Sequence, residues 1–317
     1  MSFIPHVKGH KLLKSQSEIP FISFARTCLI VSIVTVLLSL TMWLTVGLNY
    51  GVDFKGGSMI ELRSKQGPAD ISAIRNAVSN LGLGDVQIQS FGTDRDVLIR
   101  VEQQEGGEKA QQEALSKVLS AVGDNYENRR TEVVGPAVSS ELRTTGLIAV
   151  LCSIIAIICY VWFRFEWQFA VGAVVALSHD IIITVGVFSL MQLEFDLSTV
   201  AALLTILGYS VNDTVVVSDR IRENLRKYKK MDLSELLNRS INETLSRTLM
   251  TSLTTLIVLL ALYVFGGQVI RNFTFAMMFG VIIGTYSSIF IAAPLLSQLG
   301  VKRDWSGIAR AAQAAKS

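Results

Sequence analysis

The sequence has 317 residues, of which 50% are hydrophobic and only 17% are charged, and its mean hydropathy is +0.45. Because soluble domains usually contain about 25% charged residues, this composition argues against a soluble protein and predicts a polytopic α-helical membrane protein. The formal net charge of +3 is too small to indicate a nucleic-acid partner.

The first 26 residues are polar and basic, and the segment 27–48 then runs for 22 residues without a charge. At 1.5 Å per residue this segment crosses about 30 Å of hydrocarbon. It is longer than the apolar core of a signal peptide, which is about 7–15 residues, so we expect an uncleaved first span. Five further apolar runs predict spans two to six within residues 144–296, at 144–163, 169–191, 197–217, 248–265 and 273–296.

The basic residues indicate how these spans are oriented. They cluster in the N-terminal segment 1–26, in the loop 218–247 and in the tail 297–317. The positive-inside rule places such clusters in the cytoplasm. Six transmembrane helices then leave both termini in the cytoplasm and put residues 49–143 on the outer side of the membrane.

The outer segment 49–143 has the pattern of a folded domain. Period-two alternation and β-branched runs predict strands at 58–63, 86–91, 97–101 and 130–134, with residues 92–96 as the turn of a hairpin. Helical spacing of apolar residues predicts helices at 68–81 and 109–122. The order β-α-β-β-α-β predicts one α+β ferredoxin-like domain between spans one and two.

A glycine-rich segment, Gly-Val-Asp-Phe-Lys-Gly-Gly, leads from the first span into this domain. It is interpreted either as a tight joint between membrane and domain or as a contact site. No phosphate-binding loop is implied, since no Gly-Lys-Ser/Thr follows. The residues of this entry motif are Gly51, Asp53, Phe54, Gly56 and Gly57.

The fourth predicted span contains an Asn-Asp pair, Asn212 and Asp213. A charged side chain at the bilayer centre costs roughly 2.5–3.5 kcal/mol on insertion scales, so Asp213 is a candidate functional residue. The alternative is that Asp213 only holds a neighbouring helix by a hydrogen bond.

Two further polar groups lie in predicted spans. Arg247 begins span five, and Thr251 and Thr255 follow it on one helical face. Because spans four and five are consecutive and both charges lie in their cytoplasmic parts, Arg247 is expected to reach Asp213. The alternative is that Arg247 extends to the lipid interface and only marks topology. His179 and Asp180, in span three, form a second candidate intramembrane polar site. Neither these residues nor the three cysteines have the spacing of a metal site.

Several motifs together resemble one family. They are GVDFKGG after span one, HD in span three, GYSVNDTVVVSDRIREN through span four, SRTLMTSLTT in span five and GTYSSIFIAAPLL in span six. These motifs cover nearly the whole chain and are similar to those of the SecF branch of the SecD/SecF family, bacterial protein translocase subunits related to the resistance-nodulation-division transporters.

The resemblance implies a subunit of the bacterial inner membrane that acts with SecD, and usually YajC, beside the SecYEG channel. It implies that the proton-motive force drives late steps of export after SecA has acted, and that the periplasmic domain contacts the exported polypeptide. The family's membrane-embedded Asp and Arg fall on Asp213 and Arg247, which implies a proton relay there. No cofactor is implied, and membrane lipid surrounds the spans.

Independently, six spans with one outer domain look like half of a transporter built from two parallel repeats. Two other functions remain open on the residues alone, a proton-driven half-transporter for small-solute efflux and a scaffold that transports nothing. An enzyme is not expected, because no set of nucleophile, base and orienting group is recognisable.

Overall fold

The structure is a computed structural model that describes residues 19–84, 86–267 and 269–301. Most of the predicted cytoplasmic N-terminus and tail therefore lies outside the described residues. The first helix, α1 (Phe21–Thr45), begins before the predicted span. Side-chain oxygens far along the chain explain this early start: Asn238 accepts from the backbone N–H of Ile22 at 2.9 Å, and Asn242 accepts from that of Ile19 at 3.1 Å. They satisfy N–H groups that a helix start leaves without partners.

A short strand and a single helical turn follow α1, β1 (Asn49–Tyr50) and α2 (Val52–Lys55). Then comes a domain of four strands and two helices, which we call the sheet domain. Its elements in chain order are β2 (Gly57–Ser64), α3 (Ile71–Ser79), β3 (Val86–Phe91), β4 (Thr93–Val101), α4 (Gly107–Val122) and β5 (Tyr126–Val134).

The sheet has the strand order β3-β4-β2-β5, and every neighbouring pair is antiparallel. One face buries Ile60, Val97 and Ile99 against Ile74 of α3 and Val118 of α4. The prediction of a five-residue turn at 92–96 is wrong. Strand β4 already begins at 93, because the carboxylate of Asp96 is held inside the sheet edge by Arg63 and Thr93.

The remaining chain forms long helices: α5 (Pro136–Arg164), α6 (Trp167–Met191), α7 (Leu197–Lys227) and α8 (Leu233–Phe265), with strand β6 (Glu194–Phe195) between α6 and α7. Helices α7 and α8 extend well beyond the apolar runs and leave only residues 228–232 between them. Buried Ile221, Leu225 and Leu237 join these extensions, and Asn224 donates to Ser240 and Glu243. The predicted basic segment 218–247 is thus mostly helical.

The last span is not one regular helix. It consists of α9 (Arg271–Ser287), a π-helical segment (Ser288–Ala292) and α10 (Ala293–Gln298). Within the described ranges, six helical segments are long and apolar enough to cross a membrane: α1, α5, α6, α7, α8 and this composite segment Arg271–Gln298.

Two apolar clusters form the core of the helical part. One contains Phe188 and Ile206 and lies at the end that carries the sheet domain, and the other contains Phe169, Val217 and Ile221 towards the opposite end. Residues 207–216 of α7 and 174–187 of α6 run between them. His179 and Asp180 of α6 and Ser210 and Asp213 of α7 therefore lie between these two apolar clusters.

Candidate functional site

Asp213 lies in the middle of α7 and is buried, with 5% of its surface exposed. Carboxylates stabilise the start of this helix: Asp196 accepts from the backbone N–H of Thr199 at 2.8 Å, and Asp53 accepts from that of Leu197 at 2.9 Å. Within the described residues, the hydrogen bond given to Asp213 comes from the hydroxyl of Ser288, at 2.9 Å from Oδ2. A buried carboxylate with a single such donor is poorly compensated as an anion.

Helix α8 presents a different face to Asp213 from the one predicted. Thr248 and Ser252 are buried on its inner side, and the Thr248 hydroxyl lies close enough to Asp213 to stabilise its charge, although its geometry is not that of a regular hydrogen bond. The side chain of Arg247 is exposed. Its charge acts on Asp213 through space, and no ion pair joins the two in the described part of the chain.

Three other predicted site residues do not turn inward. Asn212 and Thr251 are exposed, and Thr255 is half-buried. Both threonine hydroxyls donate to backbone carbonyls of their own helix: that of Thr251 reaches the Thr248 carbonyl at 2.9 Å, and that of Thr255 reaches the Thr251 carbonyl at 2.9 Å. These residues lie on the outer surface of the α7–α8 pair.

The second predicted polar site is more deeply buried than the first. Asp180 of α6 is 0% exposed and accepts three hydrogen bonds. Its Oδ2 accepts from Ser210 of α7 at 2.6 Å and from Ser287 of α9 at 2.8 Å, and its Oδ1 lies 3.0 Å from Nδ1 of His179. The His179 ring stacks on Tyr286, 6.1 Å between centroids. Asp180 thus joins three helices.

Sequence reasoning placed Ser210 on the helix face of Asp213 but did not single out Ser287 or Ser288. Two consecutive serines in an otherwise apolar span are an available signal, because hydroxyls in a membrane helix need partners. What the sequence cannot give is the pairing: Ser287 bonds to Asp180, and its neighbour Ser288 bonds to Asp213.

The entry motif is a compact joint. Strand β1 pairs in parallel with β6, so that Asn49 lies opposite Glu194 and Tyr50 opposite Phe195. Gly51 follows, and a Cβ atom there would lie 2.8 Å from Oε1 of Glu194. Phe54 is buried against the rings of Tyr50 and Phe195.

The two glycines that end the motif begin the sheet. Gly56 and Gly57 have φ values of 77° and 114°, which other residues rarely adopt. A Cβ atom on Gly57 would lie 2.4 Å from the carbonyl oxygen of Val101. All five predicted motif residues therefore form the connection between α1, the α6–α7 turn and the sheet domain.

A polar cleft of about 440 Å³ separates the open face of the sheet from the α6–α7 turn and the start of α9. At one side of the cleft, the guanidinium of Arg100 forms an ion pair with Glu194. Burial raises the pKa of the Glu194 carboxyl, while the Arg100 cation opposes this shift. In the described residues no group of three or more His, Cys, Asp or Glu is arranged to hold a metal ion.

Comparison with known proteins gives matches along nearly the whole chain. The family model described as "Protein export membrane protein SecD/SecF, C-terminal" matches residues 114–302. A second model, the SecD/SecF GG motif, matches residues 41–68, which include the entry motif.

Known relatives are similar over most of this chain. The protein translocase subunit SecF of Cereibacter sphaeroides is 47% identical over 302 residues, with 92% of this chain and 93% of the relative covered. The protein translocase subunit SecDF of Brucella abortus is 44% identical over 292 residues, covering 92% of this chain but 38% of the relative.

The fold is also similar to solved structures. The crystal structure of SecDF from Thermus thermophilus superposes with a TM-score of 0.82 at 37% identity, covering 91% of this chain and 40% of that one. SecDF in its super-membrane-facing form gives a TM-score of 0.67 at 36% identity. The chain is a multi-pass membrane protein, and it belongs to the SecD/SecF family of protein export membrane proteins.

Proposed function

We propose that this chain is the SecF-type subunit of the Sec protein-export machinery and that it helps to convert the proton-motive force into late steps of export. The observation that carries the proposal is the burial of Asp213 inside a membrane-spanning helix, where the Ser288 hydroxyl donates to it and no cation pairs with it among the described residues. A carboxylate in this setting is costly as an anion and becomes neutral by binding a proton. This is the property that a proton carrier needs.

The outer surface of the α7–α8 pair supports a partner at membrane depth. Asn212 and Arg247 are exposed there, and lipid offers their polar atoms no hydrogen bonds. In the SecDF relatives a chain of this length covers about 40% of the protein. We infer that SecD covers this surface and that Arg247 acts at the boundary between the two subunits. YajC, SecYEG and SecA complete the proposed pathway.

The sheet domain is proposed to be a ferredoxin-like periplasmic domain within residues 49–143, in contact with the exported polypeptide. Its β-α-β-β-α-β order and its strand order β3-β4-β2-β5 are those of a split βαβ unit. Both termini are then cytoplasmic, and the chain lies in the bacterial inner membrane, because the basic residues near the 228–232 turn mark the cytoplasmic side.

In the proposed mechanism a proton from the periplasm neutralises Asp213 and so ends its attraction to the Arg247 charge. Helices α7 and α8 then change their packing, and the movement reaches the sheet domain through β6 and the entry motif. One charge that crosses 100 mV makes about 2.3 kcal/mol available, which is enough to shift a two-state packing equilibrium.

The test measures preprotein export into inverted inner-membrane vesicles with and without a proton gradient. We compare wild type with Asp213→Asn, Arg247→Met and the control Asp219→Asn, which removes an exposed carboxylate from the same helix. The first two variants should lose the gradient-dependent part of export and keep the ATP-driven part, while the control behaves as wild type. Full gradient-dependent export by Asp213→Asn would refute the relay. Co-purification with SecD tests the partner separately.

A further inference from the structure

Ser287 and Ser288 connect the two buried carboxylates through consecutive residues. The hydroxyl of Ser287 donates to Asp180 of α6 at 2.8 Å, and that of Ser288 donates to Asp213 of α7 at 2.9 Å. Both serines are fully buried. Two consecutive residues of the last span therefore bond to two acids on different helices, Asp180 of α6 and Asp213 of α7.

Each serine also has a second acceptor in its own helix. The Ser287 hydroxyl lies 3.1 Å from the Gly284 carbonyl, and the Ser288 hydroxyl lies 3.0 Å from the Thr285 carbonyl. A hydroxyl has one proton to donate. Because hydrogen bonds to an ionised carboxylate are roughly twice as strong as neutral ones, Ser288 favours Asp213 when that group is charged and the Thr285 carbonyl when it is neutral.

The two acids differ in how firmly they are held. Asp180 has three hydrogen-bond partners from three helices, whereas Asp213 has Ser288 as its donor. Loss of the charge on Asp213 therefore releases one side of the serine pair while the other side stays fixed. The contact between Ser287 and Asp180 is therefore the fixed one, and we call Asp180 the anchor. The contact between Ser288 and Asp213 is the one that changes with charge.

The backbone at this point is irregular. The π-helical segment starts at Ser288, and α10 follows it with Pro294 in its first turn. Proline has no N–H, so the carbonyl of Phe290, four residues earlier, receives no α-helical hydrogen bond from it. Single π-helical turns inside α-helices are frequent at functional sites.

We propose that Ser287 and Ser288 are positioning residues that couple the charge of Asp213 to the orientation of α10. This inference rests on the proposed proton relay and deepens it. A proton that binds Asp213 turns the Ser288 hydroxyl, which keeps its own proton, to the Thr285 carbonyl, and the π-helical segment then moves relative to α7. The charged and titratable groups that face Asp213 are Arg247 from α8 and, through Ser287, Asp180 and His179 from α6.

The experiment measures the distance between spin labels at positions 227 and 298, which are exposed at the ends of α7 and α10. The full chain is purified with its SecD partner after Cys28, Cys152 and Cys159 have been replaced by alanine. Distances are recorded in acidic and in alkaline buffer, and we expect the wild-type distribution to shift between the two.

Ser288→Ala should lose this shift, because its helix no longer has a bond that depends on the charge of Asp213. Ser288→Thr keeps the hydroxyl and should retain the shift. The matched control is Thr274→Val, which removes a fully buried hydroxyl of α9 that bonds only to the Ile270 carbonyl. This control should also retain it.

The outcomes separate the two proposals. If Asp213→Asn loses the shift while Ser288→Ala keeps it, the serine coupling is wrong and the relay stands. If Asp213→Asn keeps the shift, the movement does not depend on the charge of Asp213 and the coupling is wrong, while the export measurement alone decides the relay. A shift lost in Ser288→Ala and retained in Ser288→Thr and Thr274→Val supports the coupling, because a general loss of packing would also affect the control.

Discussion

The guanidinium of Arg100 forms an ion pair with the carboxylate of Glu194, and this contact joins the sheet domain to the turn between α6 and α7. Their side chains are 10% and 18% exposed. Because β6 contains Glu194 and also pairs with β1, the ion pair and the entry motif hold the same turn.

Arg100→Met should loosen this junction, because it leaves the buried Glu194 carboxylate without its cation. Breaking a buried pair costs about 3 kcal/mol at the lower end of the measured range, and partial exposure favours that end. Hydrogen exchange of the Gly51 N–H, which donates to the Phe195 carbonyl, reports the loss. The double variant Arg100→Met/Glu194→Gln should recover much of the protection; equal exchange in both would argue against the ion pair as the cause.

Two carboxyls, one at the α6–α7 turn and one in the sheet domain, should respond to pH in opposite directions. Burial raises the pKa of Glu194, so its contribution to stability is full below its unfolded pKa and is lost as the pH rises through the folded value. Arg63 lowers the pKa of Asp96, so that contribution is present above the unfolded pKa and is lost as the pH falls through the folded value. Melting temperatures measured across a range of pH test this. The fall in stability at rising pH should disappear in Glu194→Gln, and the fall at low pH should disappear in Asp96→Asn.

Gly57→Ala should destabilise the sheet domain by about 1–3 kcal/mol, the usual cost of a strained backbone. The added Cβ would meet the Val101 carbonyl, and the φ of 114° is unfavourable as well. Gly67→Ala is the control, since its φ is also positive, at 70°, but open space surrounds it. Melting temperatures of the purified variants test this: a similar loss in both would mean that backbone strain alone, and not the contact with β4, decides the cost.

Asp180→Ala should reduce the amount of folded protein in the membrane more than Asp213→Ala. It leaves Ser210, Ser287 and His179 without their common partner, and a buried polar group left unsatisfied costs about 1–3 kcal/mol. Asp213→Ala affects one serine. Quantifying folded protein after detergent extraction compares the two, and equal amounts would contradict the anchor role of Asp180.

The sequence predicts the helical spans well because their signal is local. Apolar runs of about 20 residues, such as 169–191 in α6, are set by the thickness of hydrocarbon alone. The ends are harder to predict, because the contacts that extend a helix come from distant residues. Asn238 stabilises the start of α1, and Asn224 with Ser240 joins the extensions of α7 and α8.

The candidate site shows the same limit. Asp213 and Asp180 are recognisable because charges in apolar spans are expensive. The residues that contact them are not recognisable in the same way. Adjacent residues on a helix point in different directions, and on α8 the exposed Arg247 is followed directly by the buried Thr248. Ser287 and Ser288 are separated from Asp180 and Asp213 by 107 and 75 residues, and only the packed structure brings them together.

The parallel pairing of β1 with β6 determines where tension on the sheet domain would be felt. The chain enters the domain through Asn49–Tyr50, and this strand is hydrogen-bonded to the segment that leads directly into α7. Asp53 adds a bond to the backbone of Leu197 at the first residue of that helix. A pull on the domain is therefore shared between α1 and α7. The hydrogen bonds between β1 and β6 lie across the direction of the pull, so they are loaded together. A force applied to the domain would therefore act on the start of α7, the same continuous helix that contains the buried carboxylate of Asp213.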